Sequence, residues 1–252
     1  MRVYLVRHGR SSGNLPGRMT GWSDHSLTKV GVQQARRVAA RLRPLGPMPV
    51  ITSDLPRALE TARIVAGRWP DGERLVRPDP RLREIKLGAF EGRSWEEFTA
   101  DAGLAARFEA DPYTTPLPDG ESLAMVSDRA VAAFEDALVA AGATEPDETE
   151  PHETEPDETG DGPRPAVCIV AHDSPIRAIV NHVLKVPPER HWTLSTSHGG
   201  LSLLEVTDGW VSVRFFNDTS HLRCLDRSID GTADGEVPVR PIERLPEGDP
   251  EP

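Results

Sequence analysis

The chain has 252 residues, a hydrophobic content of 37% and a formal net charge of −11, a length that accommodates one large domain or two small ones with a buried core. No apolar stretch approaches the roughly 18–20 residues that span a bilayer, and the first apolar run is too short for a secretory signal. The two cysteines, Cys168 and Cys224, make neither metal-ligand spacing nor a disulfide framework, so a cytoplasmic protein is expected.

The acidity is local. Thr144–Gly162 carries −9 and Asp226–Pro252 carries −5, which leaves the rest of the chain near +3 and suited to an anionic ligand.

In chain order, VYLVRH reads as a short buried strand ending in Arg7-His8. Val32, Ala35, Val38, Ala39 and Leu42 recur at helical spacing and predict an amphipathic helix over Thr28–Arg43, with Thr28 as N-cap. PVITSD predicts a second strand, LPRALETARIVAGRW a second helix, and ERLVRP a weaker third strand. The polar, mixed segment Leu82–Pro118 is an excursion from the sheet. Its part from Arg93 to Pro118, with Trp95, Phe98, Phe108 and Tyr113, is expected to form a lid whose rings pack on one another. Glu121–Ala141, with Leu123, Val126, Ala130, Phe134 and Leu138 on one face, predicts a long helix.

A Thr-Glu-Pro-(Asp/His)-Glu repeat follows, whose prolines and like charges predict a disordered insertion over 143–164. PAVCIVAH is the most strand-like segment of the chain, and SPIRAIVNHVL follows it as a helix. GGLSLLEV and WVSVRFF read as two strands joined at a Thr-Asp-Gly hairpin signal. One domain over 1–227 and a disordered tail over 228–252 are expected.

Strands alternating with helices predict an α/β fold: a mainly parallel sheet covered on both faces, with an antiparallel edge from the closing hairpin. In such sheets ligands bind beyond the carboxyl ends of the strands. Two strands end in histidine, at His8 and His172, and a third ends at Ser53-Asp54 with Arg57 in the helix that follows. Taken singly, these are a strand meeting water, a capping histidine and a solvent-facing arginine. Taken together, Arg7, His8, Arg57, His172 and a helix N-terminus make a pocket for a dianion. A histidine there could attack phosphorus directly, and phosphoryl transfer depends mainly on positioning and charge stabilisation, so the pocket calls for no metal. The leaving alkoxide needs an acid. Glu84 and Glu91 of RLREIKLGAFEG are equal candidates on this ground, because the like charge of a bound phosphate favours the protonated form of a facing carboxyl group.

LVRHG at 5–9, Asn14, GRMTGWSDHSLTKVGVQQA at 17–35, SDLPRALETA at 53–62, LREIKLGAFEG at 82–92, PDGES at 118–122 and VAHDSPIRAIV at 170–180 carry a resemblance. Over roughly residues 1–225 the chain resembles the histidine phosphatase superfamily, in its small-enzyme, phosphoglycerate-mutase-like branch. The resemblance implies a three-layer α/β/α sandwich, with His8 as the phosphorylated nucleophile. It implies that Arg7, Arg57, His172 and Asn14 hold the phosphoryl group. Glu84 becomes the proton donor and Glu91 structural, with Thr20 and Gly21 near the leaving group. The implied activity is metal-independent hydrolysis of a small phosphate monoester without a cofactor, and with neither nucleic acid nor membrane as partner.

Some positions depart from the family pattern. Arg10-Ser11 stands where the family has Glu or Gln followed by Thr, which places Arg10 at the pocket rim or in solvent. Asp173 follows His172, as in the acid-phosphatase and phytase branch, where that aspartate is the donor. Asp173 is therefore an alternative acid to Glu84, whose flanking residues match the small-enzyme branch. TGWSDHSLT resembles the cofactor-dependent mutases, yet Leu87 stands where those enzymes have tyrosine. Only Arg93 and Arg107 occur between Gly92 and Pro118, where the mutases carry an adjacent arginine pair. Hydrolysis is expected over mutase chemistry, and the five intact site residues argue against a non-catalytic scaffold binding through the acidic repeat. Gly9 is expected to let the backbone turn close to the phosphate, and His221 to brace the pocket.

Overall fold

The computed structural model describes residues 1–14, 17–142, 164–223 and 225. The expected insertion over 143–164, except Arg164, and the expected tail over 228–252 lie outside the described residues, as do His152 and Cys224.

The strands β1 (Arg2–Arg7), β2 (Val50–Thr52), β3 (Val76–Pro78), β4 (Ala166–Ala171), β5 (Leu201–Thr207) and β6 (Trp210–Asp218) lie in the spatial order β3-β2-β4-β1-β5-β6. Pairing is parallel from β3 through β1, while β5 and β6 join antiparallel, as the closing hairpin predicts. The hairpin turns through Asp208 and Gly209 at φ 49° and 76°, the left-handed pair a two-residue loop requires. One register feature matters most for the site. Arg7 pairs with Ala171, so His8 and His172, each one residue further on, emerge side by side.

Alternation along β1 divides the core. Val3 and Leu5 pack with Val167, Ile169, Ile176 and Ile179, on the face covered by α5 (Leu123–Ala140) and α6 (Asp173–Leu184). Tyr4 and Val6 pack on the other face with Val38, Leu42, Ala62 and Val65, from α1 (Lys29–Leu42) and α2 (Pro56–Ala66). Each fully buried aliphatic side chain contributes about 2 kcal/mol of transfer free energy, and a strand apolar on both faces is stable only between two helical layers. The result is the three-layer sandwich.

Local signals set the helix ends. The Thr28 hydroxyl accepts from Gly31 N at 3.1 Å and starts α1. α5 starts at Leu123, two residues later than its pattern predicts, because Ser122 is its N-cap and Glu121 before it pairs with Arg129 at 2.9 Å. The excursion contains α3 (Trp95–Thr99), closed by a capping box from Ser94 and Glu97, and α4 (Ala102–Ala110). These form a small third core in which Trp95 stacks on Phe98 at 4.8 Å and Phe98 meets Phe108 at 5.3 Å, the ring packing expected of the lid. Tyr113 stands apart, 5.7 Å from the ring of His191. Among the described residues no helix is long and apolar enough to cross a membrane.

Candidate active site

β1 delivers Arg7 and His8 to the carboxyl edge of the sheet. His8 N donates to Ala171 O at 3.0 Å, and its ring lies 4.8 Å from that of His172. His8 Nδ1 donates to Gly9 O at 2.7 Å, the tautomer that leaves the lone pair on Nε2. Burial, then Arg57, then Arg7 hold the His8 imidazole well below its ordinary pKa, so it is neutral at neutral pH. Gly9 has a structural requirement of its own. A Cβ there would stand 2.3 Å from the Gly31 carbonyl of α1, so the packing of α1 against this turn itself requires glycine.

His172 caps α6 and is fully buried, with Nε2 at 2.8 Å from Ser53 Oγ at the end of β2. Its Nδ1 is buried without a partner among the described residues. Burial, Arg57, His8 and Arg7 hold this ring neutral as well.

Arg57 sits in the first turn of α2 behind Pro56 and is only 1% exposed, so it does not face solvent. Its Nη1 donates to Ser23 O at 3.0 Å and its Nη2 to Gly21 O at 2.6 Å, leaving Nε unpartnered. Gly21 is obligatory there, because a Cβ would lie 2.3 Å from Glu91 Oε1 and 2.5 Å from Ile85 O. Glu91 receives Gly21 N at 3.0 Å, Trp22 N at 2.7 Å and Ser23 Oγ at 2.7 Å, and so shapes the loop that carries Arg57's acceptors. On the other side, Arg7 Nη1 donates to Thr196 O, and its Nε has no partner.

Glu84 lies between the single helical turns Pro80–Leu82 and Gly88–Phe90, with its carboxylate on the N-terminus of α6. Its Oε1 accepts from Ile85 N at 2.9 Å and Ser174 N at 3.2 Å, and its Oε2 from Asp173 N at 3.2 Å. The backbone beneath it is clamped by Arg129, which donates to the carbonyls of Arg81, Arg83 and Glu84 at 2.6, 2.6 and 2.9 Å while pairing with Glu121.

Asp173 faces differently. Its carboxylate pairs with Arg177 at 2.8 Å, lies 3.9 Å from Arg7, and accepts from Thr196 N and Oγ1 at 3.1 and 2.7 Å. Burial pushes its pKa up, but Arg177, Arg7 and Thr196 outweigh burial and hold the carboxyl below its ordinary range.

Arg7, His8, Arg57, Glu84, His172 and Asp173 thus converge. Asn14 and Thr20 both bond to the Ser11–Gly13 stretch of the same loop. Asn14 Oδ1 accepts from Ser11 N at 2.9 Å and Ser11 Oγ at 2.8 Å, and Thr20 Oγ1 donates to Gly13 O at 2.6 Å. His221 Nε2 donates to Gly199 O at 3.0 Å, bracing the segment beside Arg7 as expected, and Arg10 is buried and not in solvent.

One residue escaped sequence reasoning. His198, just before β5, places its ring 5.4 Å from that of His8. The signal for it is that GGLSLLEV is the antiparallel partner of the first strand, a pairing that the sequence alone does not reveal.

Two guanidinium groups, neutral imidazoles and a helix N-terminus at one edge suit a phosphoryl dianion. The sequence profile described as the histidine phosphatase superfamily (branch 1) matches residues 3–219. "Probable phosphoglycerate mutase GpmB" of Enterobacter sp. (strain 638) is 33% identical over 229 residues, covering 88% of this chain and 95% of that protein. The solved structure of Bacillus stearothermophilus YhfR is 30% identical with a TM-score of 0.70, covering 88% of this chain and 98% of that one. The mycobacterial glucosyl-3-phosphoglycerate phosphatase, solved with VO3, is 30% identical with a TM-score of 0.65, covering 86% and 98%. On sequence, fold and the convergence of these side chains, the chain belongs to branch 1 of the histidine phosphatase superfamily.

Proposed function

We propose that the protein is a metal-independent phosphomonoesterase that hydrolyses a small phosphorylated metabolite through a phosphohistidine on His8. The observation that carries this reading is the hydrogen bond from His8 Nδ1 to Gly9 O, which leaves Nε2 as a lone-pair donor on a neutral ring beside Arg7 and Arg57.

In the proposed reaction, Arg7, Arg57, His172 and the α6 N-terminus bind the phosphoryl oxygens, with the Asn14 amide contributing a hydrogen bond. His8 Nε2 attacks phosphorus. An N–P bond forms as the bond to the ester oxygen breaks, and the Glu84 carboxyl group gives its proton to the departing oxygen. Water then attacks the phosphohistidine and Glu84 takes up a proton from it. The N–P bond breaks, inorganic phosphate leaves, and His8 and protonated Glu84 are restored. Thr20 and Gly21 border the leaving group. Glu84 is favoured over Asp173 as the acid because Asp173 is held ionised by Arg177, Arg7 and Thr196, whereas the Glu84 side chain pairs with no arginine among the described residues.

Hydrolysis is favoured over mutase chemistry because a mutase must retain a doubly anionic intermediate. Arg93 and Arg107 are both exposed, and Leu87 is buried in the lid core. The mycobacterial relative is named a phosphatase and the GpmB relative a mutase, so assay decides between them. Phosphate release from a panel of phosphomonoesters, lost in His8→Ala, is the expected result. Rapid isomerisation of 3-phosphoglycerate with a bisphosphate primer, without phosphate release, would replace this reading. The cytoplasm is the proposed site of action, supported by the low cysteine content.

A further inference from the structure

We propose that His198 is a further phosphoryl-binding residue, whose Nε2 donates to an oxygen of the bound group on the opposite flank of His8 from His172. The inference rests on the phosphoryl pocket proposed above and extends it by a residue on a different strand connection.

Sheet order makes the geometric case. β1 lies between β4 and β5, so the residue after β4, the residue after β1 and a residue just before β5 reach the same edge. His172, His8 and His198 occupy those positions, with ring centroids 4.8 and 5.4 Å apart from the central His8. The segment carrying His198 is tied down on both sides. Gly199 N donates to Arg7 O and His8 O at 3.0 and 3.2 Å, Arg7 N donates to Gly200 O at 3.2 Å, and His221 holds the Gly199 carbonyl.

The second observation is an unmade hydrogen bond. His198 Nε2 is buried with no partner among the described residues, as are Arg7 Nε, Arg57 Nε and His172 Nδ1. Buried polar atoms are ordinarily paired. Four unpaired ones on four side chains around one nucleophile mark the place where a ligand supplies the acceptor. The remaining such atoms are on Arg177 and Asn181 of α6 and on His191 and His221, none of which has a ring or ion-pair contact with His8.

Charge fits the same role. The groups that act on His198 are Arg7, His8, Arg10 and Arg57, and with burial they keep the ring uncharged. A neutral N–H donor adds a bond to a phosphoryl oxygen without adding another repulsive charge to this cationic cluster.

Binding of inorganic phosphate, measured by calorimetry on the whole protein, tests the proposal without requiring turnover. His198→Leu is expected to weaken binding about tenfold, the effect of one hydrogen bond to a charged group. His198→Asn, which keeps a donor, should stay within about threefold of the wild type. In the wild type, the His198 Nε2 resonance in an ¹⁵N imidazole spectrum should shift on adding phosphate, a readout that needs no variant to fold. An unshifted resonance, wild-type affinity in His198→Leu, or equal losses in the Leu and Asn variants would overturn it. Phosphate binding through His198 in a protein that hydrolyses no monoester would leave this inference standing while the hydrolase reading fell.

Discussion

Replacing Glu84 by Gln separates the acid from its neighbour Asp173. The Glu84 carboxylate accepts three backbone N–H groups, two on Oε1 and one on Oε2. Glutamine keeps one acceptor oxygen and turns a donor toward the remaining N–H, so one bond is lost and the fold is weakened by about 1–2 kcal/mol. That is small against the 5–15 kcal/mol typical of a domain, and the variant should fold. The kinetic effect is larger and selective. A positioned general acid supplies about 10²–10⁴-fold for a poor leaving group, roughly 3–5 kcal/mol of barrier. An activated aryl oxide departs with little protonation, so its loss should stay below about tenfold.

Asp173→Asn removes the counter-ion of Arg177, whose side chain is 6% exposed. It should cost about 3 kcal/mol of stability and slow both esters alike. The assay is kcat/KM for p-nitrophenyl phosphate and for an alkyl phosphate, in both variants. An alkyl-specific loss in Asp173→Asn, with none in Glu84→Gln, would refute the assignment.

Other expectations follow from the same contacts. Arg129→Met strips partners from three carbonyls and from Glu121, so the denaturation midpoint should fall by the equivalent of about 3 kcal/mol. A loss below about 1 kcal/mol would mean that the clamp carries little of the Glu84 loop. Gly21→Ala places a methyl group against Glu91 and the Ile85 carbonyl and should cost about 1–3 kcal/mol while raising KM through the displaced Arg57. Unchanged stability and KM would count against that contact.

Stability should also fall with acid between pH 6.5 and 4.5, before the carboxylates titrate. His8, His172 and His198 are held well below 6.5, and His191 is lowered to about 4, by burial and nearby cations. Below pH 6.5 the unfolded chain therefore binds protons that the native one refuses. At about 1.4 kcal/mol per pKa unit, His191 alone accounts for about 3 kcal/mol lost by pH 4. Stability flat across this window would contradict the buried neutral rings.

The strand ends were the most legible part of the sequence, for a physical reason. A strand buried on both faces leaves a continuous apolar run, as in VYLV and AVCIVA, and a polar residue at its end must lie at the sheet edge. Hence the positions of His8 and His172 at the sheet edge were readable from the sequence, whereas the burial of Arg57 in the first turn of α2 was not. The caps at Thr28 and Ser122 act within four residues, and only the second displaced a boundary, by drawing Glu121 out of the helix. What depends on tertiary pairing was not legible. His198 reaches His8 only because β5 lies beside β1, and Arg129 reaches the Glu84 loop only because α5 packs on the face beneath it. The close approach of Gly9 to Gly31 was not legible either, since contact between distant backbones leaves no periodic trace. The ion pair of Asp173 with Arg177 one helical turn away is allowed by spacing, and only packing shows that it forms.

The most direct test of the account is to quench the enzyme during turnover of a phosphomonoester and map the phosphoryl group by mass spectrometry under alkaline conditions, where phosphohistidine survives. The account predicts a base-stable, acid-labile phosphoryl group on His8 that forms before the steady state, accumulates in Glu84→Gln supplied with an aryl phosphate, and is absent from His8→Ala. Full turnover with no phosphoryl group on His8, or with one on another residue, would contradict it.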